Sequence, residues 1–333
     1  MAACRVYLKV AGAKGAGTHD LLLSWAREGV AKGTPDLKRQ SLLLLRDFTD
    51  GKEDRPLVLS LLHGTEEYLV MMWCYDALGK WGDLEDIAAE VRVPPPPGGK
   101  EREAWRYRVG LAIHACEHFQ TREEAVRELG GRVLELMLEA PELMSASAGL
   151  FVNQEARDWV PRMREVEEKL PMELPRVVLS AGILVLEPDS LERRGAVTRS
   201  LLTVLQARPL SERDKSILNI IIDWLVRASS SSEDEGMVRD LLRALNPLEA
   251  KERGTAIEVM IVHSGAHIDW MITTIVVSLT DSQMRDLVQS SKSVKDILVQ
   301  WSEGSPGLTI PKTKSPERPG ALKRVKAIVD ETR

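Results

Sequence analysis

From Thr18 to Trp301 the chain alternates between apolar segments of helix length and short breaks rich in proline, glycine, serine and aspartate. That alternation constrains the fold more than any other feature. A run such as "LLLSWAREGVAKG" sets Leu21, Leu22, Trp25 and Val30 on roughly one face of a helix, so each segment must bury its stripe against another. Many such segments joined by short turns require helices packing on helices. The expected fold is all-α, an irregular α-solenoid or two-lobed helical bundle with a short N-terminal arm and a flexible C-terminal tail.

Composition agrees with this expectation. Hydrophobic residues make up 44% of the 333, while aromatics make up 5%, and eight of those fifteen are tryptophan. Leu, Val, Ile, Ala and Met must fill most of the interior, which suits helix-on-helix packing. Forty-five Lys and Arg against fifty Asp and Glu leave a formal charge of -5. Attraction of the whole molecule to a polyanion is not expected, so any nucleic-acid surface must be local. Cys4, Cys74 and Cys116 lie far apart without a paired-cysteine motif. They read as reduced thiols of a cytoplasmic or nuclear protein, with Cys74 and Cys116 in the core. No apolar block of signal-peptide length opens the chain. The most apolar runs, "SILNIIIDWLV" and "IDWMITTIVVSL", are too short and too interrupted for a membrane span, so no membrane partner is expected.

Residues 1–18 are expected to form an N-terminal arm, because "RVYLKV" alternates like a short strand and "AGAKGAG" is a glycine-rich connector. An N-terminal helical lobe over 19–92 follows, then a Pro/Gly linker at 93–100, a C-terminal helical lobe over 101–302 and a basic proline-rich tail at 303–333. Thr18 or Asp20 is expected to cap the first helix, Gly33 to stop it, Pro35 to open the second, and Ser211 with Asp214 to form a helix-start box. After Trp301 there are four prolines and seven basic against four acidic residues, which reads as a mobile basic tail ending in a short helix. Trimming 304–333, like trimming 1–17, is therefore expected to leave the helical core folded. Ser305 and Ser315 precede prolines there, and phosphorylation would weaken the positive charge of the tail.

The stretch "PLVLSLLHGTEEYLVMMWCYDALGKWGD", residues 56–83, sets two apolar helices around the turn "HGTEE" and closes the second with Ala77, Leu78 and Gly79. With Pro56, Leu57, Leu61 and Leu62 in its first helix, it resembles one unit of the HEAT/armadillo-like helical-repeat family. Where that family carries a Val-Arg pair early in the second helix, "YLVMMW" stands here. Helix pairs recur about every forty residues further along, within the period of such repeats. The resemblance implies stacked helices whose long surface grips a partner without any buried reactive group.

The leading expectation for function is therefore a non-catalytic scaffold that binds a protein partner along a groove and uses no cofactor. An alternative is an RNA-binding nucleocapsid-type protein, a homo-oligomer joined through its terminal arms with RNA held between two lobes. Its residues would be Arg102, Trp105, Arg106, Tyr107 and Arg108 of "WRYR" and its flank, where guanidinium groups beside rings suit phosphate contact and base stacking. Arg193, Arg194 and Arg199 form a second basic cluster, and Lys312, Lys314, Lys323, Arg324 and Lys326 a third in the tail. The same clusters also read as solvated helix faces, with Trp105 in the core and the arginines paired to Glu101 and Glu103. A second alternative is a metal-dependent hydrolase using His114 with His118 and His263 with His267, each pair at the i, i+4 spacing that shares one helix face. "HACEH" lacks the glutamate that follows the first histidine of a zinc-protease helix. In "GAKGAGT", Gly12 and Gly17 have phosphate-loop spacing, but Thr18 and His19 stand where Lys and then Ser or Thr belong, and Lys14 lies inside the loop. No Ser-His-Asp or Cys-His arrangement assembles from the sequence, so no enzyme activity is expected.

Overall fold

Four consecutive leucines, Leu42 to Leu45, are all buried, and they mark how the chain folds: a helix apolar on several sides must be covered on several sides. In the computed structural model, which describes residues 16–82, 84–117, 122–152, 154–187, 191–230, 234–303 and 316–331, these leucines belong to the second of eighteen α-helices. No strand occurs among the described residues. The expected all-α fold holds. The arm residues 1–15, including the "RVYLKV" stretch, Cys4 and Lys14, lie outside the described residues, as do His118 and the tail residues Ser305, Lys312, Lys314 and Ser315.

The helices group into two compact units, Met1–Trp159 and Val160–Arg333. The first contains α1 (Ala16–Lys32), α2 (Pro35–Phe48), α3 (Arg55–Gly64), α4 (Tyr68–Trp81), α5 (Leu84–Arg92), α6 (Gly99–Glu117), α7 (Arg122–Glu139) and α8 (Met144–Phe151). Here α2, α4, α6 and α8 pack in succession, each against the next, while α1 lies on α2 and α3, and α5 on α4, α6 and α7. The second contains α9 (Val160–Lys169), α10 (Leu174–Leu186), α11 (Leu191–Ala207), α12 (Glu212–Ser230), α13 (Glu235–Ala244), α14 (Ala250–His263), α15 (Ile268–Ser278), α16 (Asp281–Ser290), α17 (Lys292–Glu303) and α18 (Arg318–Glu331). In it α10, α12, α14 and α16 form one row and α11, α13 and α15 another, with α18 closing on α15, α16 and α17. Each helix in a row thus meets its second neighbour along the chain.

The helix ends follow local chemistry. Thr34 accepts from Leu37 N at 3.4 Å and Pro35 occupies the first turn of α2, where its missing N–H costs nothing. Ser211 and Asp214 make the expected box at α12, with Asp214 N donating to Ser211 Oγ (3.2 Å) and Ser211 N to Asp214 Oδ2 (3.0 Å). Gly82 ends α4 at φ 82°, the left-handed conformation glycine adopts without strain. Gly79 instead lies buried within that helix. At Gly51 (φ 81°) an added Cβ would stand 2.4 Å from the Trp81 ring, so the turn before α3 fits only because there is no side chain. Thr18 and Asp20 lie inside α1 rather than capping it.

Three further expectations change. The segment at 93–98 lies inside the first unit, pinned by Trp105 Nε1 donating to Val93 O (3.0 Å) and Arg102 Nη1 donating to Pro96 O (3.0 Å). The division falls after Trp159 instead. The stretch "DSQMRDLVQSSKSVKDILVQW", whose apolar spacing reads as one helix paired with "HIDWMITTIVVSLT", is two helices, broken where Ser291 turns extended and its hydroxyl accepts from Val294 N. The tail is helical and packed over 318–331: α18 buries Ala321, Val325, Ile328 and Val329, because its apolar residues recur at helical spacing.

Candidate functional site

The stretch "EREAWRYRVG" builds a surface whose outward part is small. Trp105, Arg102 and Arg108 turn inward. Trp105 is buried and donates to Val93 O. Arg102 pairs with Glu142 (Nε to Oε1, 2.6 Å) and also donates to Glu139 O and Pro96 O. Arg108 donates to Thr65 O (3.2 Å), holding α6 against the carbonyl end of α3. These guanidinium groups serve packing, and the carboxylate on Arg102 comes from a distant turn rather than from the expected Glu101 or Glu103.

Tyr107 faces outward, with the half-buried Arg106 against it. The Arg106 guanidinium lies 4.8 Å from the centroid of the Tyr107 ring, and that ring meets Tyr68 edge-on at 5.5 Å. Tyr68 opens α4 and is 47% exposed, Tyr107 is 40% exposed, and Leu69, next in the chain, is 59% exposed. Tyr68 and Tyr107, with Arg106 beside them, make an aromatic patch built by α4 and α6, and the exposed Leu69 follows Tyr68 in the chain. Tyr68 and Leu69 were not singled out by sequence reasoning. Their signal is weak, because two apolar residues in the first turn of an apolar helix look like core.

The second basic cluster divides. Arg194 is buried and bonded to Asp234 (2.8 Å), the residue that caps α13 by accepting from Met237 N. Arg199 is exposed on α11. Arg193 lines an open groove of about 390 Å³ formed by α9, α10 and α11, with Arg164, Glu167, Met172, Arg176 and Ser180. Glu167 accepts there from Arg193 Nη1 at 3.0 Å and from the Ser180 hydroxyl, and Arg164 pairs with Glu187. Arg176, which sequence reasoning did not select, donates Nη1 to Leu170 O at 3.1 Å.

In the tail, Lys323 and Lys326 are exposed on α18. Arg324 spends its donors on Asp281, Val276 O and Leu279 O, satisfying carbonyls at the end of α15. Above it Arg318 bonds the fully buried Asp269 (2.8 Å), which also accepts from Trp301 Nε1 (2.7 Å).

The His263 and His267 pair does not share a helix face as expected. His263 ends α14 and His267 lies in a 3-10 turn after Gly265, where the chain bends by 107°, so the two imidazoles do not share one helix face. His263 Nδ1 instead meets Asp223 Oδ1 at 2.5 Å. His114 is exposed on α6. No group of three or more His, Cys, Asp or Glu able to hold a metal occurs among the described residues. Cys74 and Cys116 are buried as expected, and burial pushes the Cys74 thiol up to about 12, away from nucleophilic thiolate. No single described helix is long and apolar enough to cross a membrane. In comparison with known proteins, no family model, no curated sequence and no solved structure matches the chain.

Proposed function

We propose that the chain is a non-catalytic helical scaffold, solenoid-like in each unit, that binds a partner protein through Tyr68, Leu69, Arg106 and Tyr107. The observation that carries this reading is the exposure of three large side chains together beside a cation, on helices whose other arginines are turned inward. Tyrosine and arginine are the residues that dominate protein interfaces, because a ring offers large contact area at small entropic cost and a polar edge for orientation. Packing of each helix on its second neighbour supports the solenoid-like reading, since stacked units of that kind present extended surfaces for segments of other chains.

The test compares capture by the full chain with capture by the Tyr68→Ser/Tyr107→Ser double variant, using Arg239→Gln on α13 as a surface control. Loss of a centrally placed interface residue costs about 2 kcal/mol or more, roughly 30-fold in affinity. A defined protein retained by the parent and the control, insensitive to nuclease and lost from the double variant, is expected. Retention by the double variant, or release by nuclease, would contradict the assignment.

A further inference from the structure

The groove on α9, α10 and α11 lies in the second unit, apart from the Tyr68 and Tyr107 surface. Its position in the other unit makes it independent of the partner-protein reading. Its polar groups are unequally used. Glu167 is filled by Arg193 and Ser180, and Arg164 is matched by Glu187. Arg176 is partly buried, bonds one neutral carbonyl, Leu170 O, and has no carboxylate set against it among the described residues. A guanidinium has five N–H donors in a fixed planar fork, so most of the donors on Arg176 remain for something that enters the groove.

An anion meets that demand. Glu167 presents little repulsion because the Arg193 guanidinium offsets its charge, and Glu192 is exposed to solvent. The buried Val197, with Ala196 and the half-exposed Met172, adds an apolar wall beside the cations. An entering group should therefore join an anionic head to a small apolar or planar body. The groove volume, about 390 Å³, is at the lower end of the range for small-molecule sites.

We infer that this groove binds a phosphoryl group attached to a nucleoside-sized body, with Arg176 as its bidentate partner and Arg193 beside it. A phosphate monoester fits the guanidinium fork with two parallel hydrogen bonds, and its body rests on Met172 and Val197. The same chemistry is offered by a free mononucleotide and by the terminal phosphate of a single RNA strand.

The experiment titrates the full chain with adenosine monophosphate, inorganic phosphate, and a short single-stranded oligoribonucleotide with and without a 5′ phosphate. Binding of the mononucleotide, or of the oligonucleotide only when phosphorylated, is expected, weakened tenfold or more by Arg176→Gln. Ser200→Asp places a negative charge on the groove wall without touching the Arg176 to Leu170 bond, and is expected to weaken binding to the same degree at an unchanged unfolding midpoint. Mononucleotide binding identifies a free nucleotide as the source. Binding of the phosphorylated strand alone identifies an RNA end. Absence of binding by every probe at millimolar concentration overturns the assignment, as does equal binding with and without the 5′ phosphate, or binding that survives Ser200→Asp.

Discussion

Asp269 is fully buried and ionisable, a combination tolerated only when the charge is matched. Trp301 Nε1 and Arg318 supply the match, and the Arg318 guanidinium also lies 5.6 Å from the Trp301 ring centroid. Removing either charged partner leaves the other without its counter-charge, so Asp269→Ala and Arg318→Ala are each expected to cost about 3–5 kcal/mol, read from denaturant midpoints. A change below about 1 kcal/mol would show that water replaces the partner without penalty. Asp214 gives a pH-dependent case. Burial alone would raise its carboxyl, but Arg208 and the Ser211 N–H and hydroxyl outweigh it and hold the group below its ordinary value of 3.8. A lowered folded value stabilises the fold above the unfolded value, and the contribution disappears as pH falls through the folded one. Asp214→Asn should therefore be less stable than the parent at neutral pH, with the gap closing below 3.8 in denaturant titrations. A gap independent of pH would contradict the ion pair. The Ser211 and Asp214 box was legible in sequence because capping depends on residues three apart. The Asp269 to Arg318 pair was not, since 49 residues separate its members and only the packing of helices brings them together.

At the scale of elements, the tail shows where composition misleads. Four prolines and an excess of basic residues after Trp301 resemble a mobile tail that ends in a short helix outside the core, yet that helix carries a buried stripe. Three aliphatic side chains, Val325, Ile328 and Val329, contribute about 1.5–3 kcal/mol each on burial. Deleting 316–331 is accordingly expected to lower the thermal midpoint of the full chain by about 10 °C or more, the reverse of what a frayed tail would do. An unchanged midpoint in a calorimetric scan would mean that α18 adds nothing to the second unit. The helix pair at residues 56–83 was readable in advance, because its turn and its apolar spacing are local. The start of each helix was readable as well, α3 opening at Arg55 and α4 at Tyr68, but α4 runs past Gly79 to Trp81. The break at Ser291 was missed because a serine in a polar run carries no breaker signal as strong as glycine or proline.

For the molecule as a whole, periodicity foretold that helices would cover helices, and the two units bear that out. It did not foretell where the chain divides. Prolines at 94–97 suggested a boundary, but their carbonyls are acceptors, and Arg102 fixes the loop through one of them. The candidate surface was half legible. "WRYR" pointed to the right helix, while the assignment of its side chains depended on which face α6 turns toward α3, α4 and α5. The central claim is that Tyr68, Leu69, Arg106 and Tyr107 meet a protein. The most direct measurement places a photo-reactive phenylalanine at position 107 of the full chain and identifies what becomes covalently attached on irradiation. One protein species, attached with or without nuclease treatment and lost when Leu69→Ser is added, is the predicted result. No adduct, or an adduct that nuclease removes, would contradict the account.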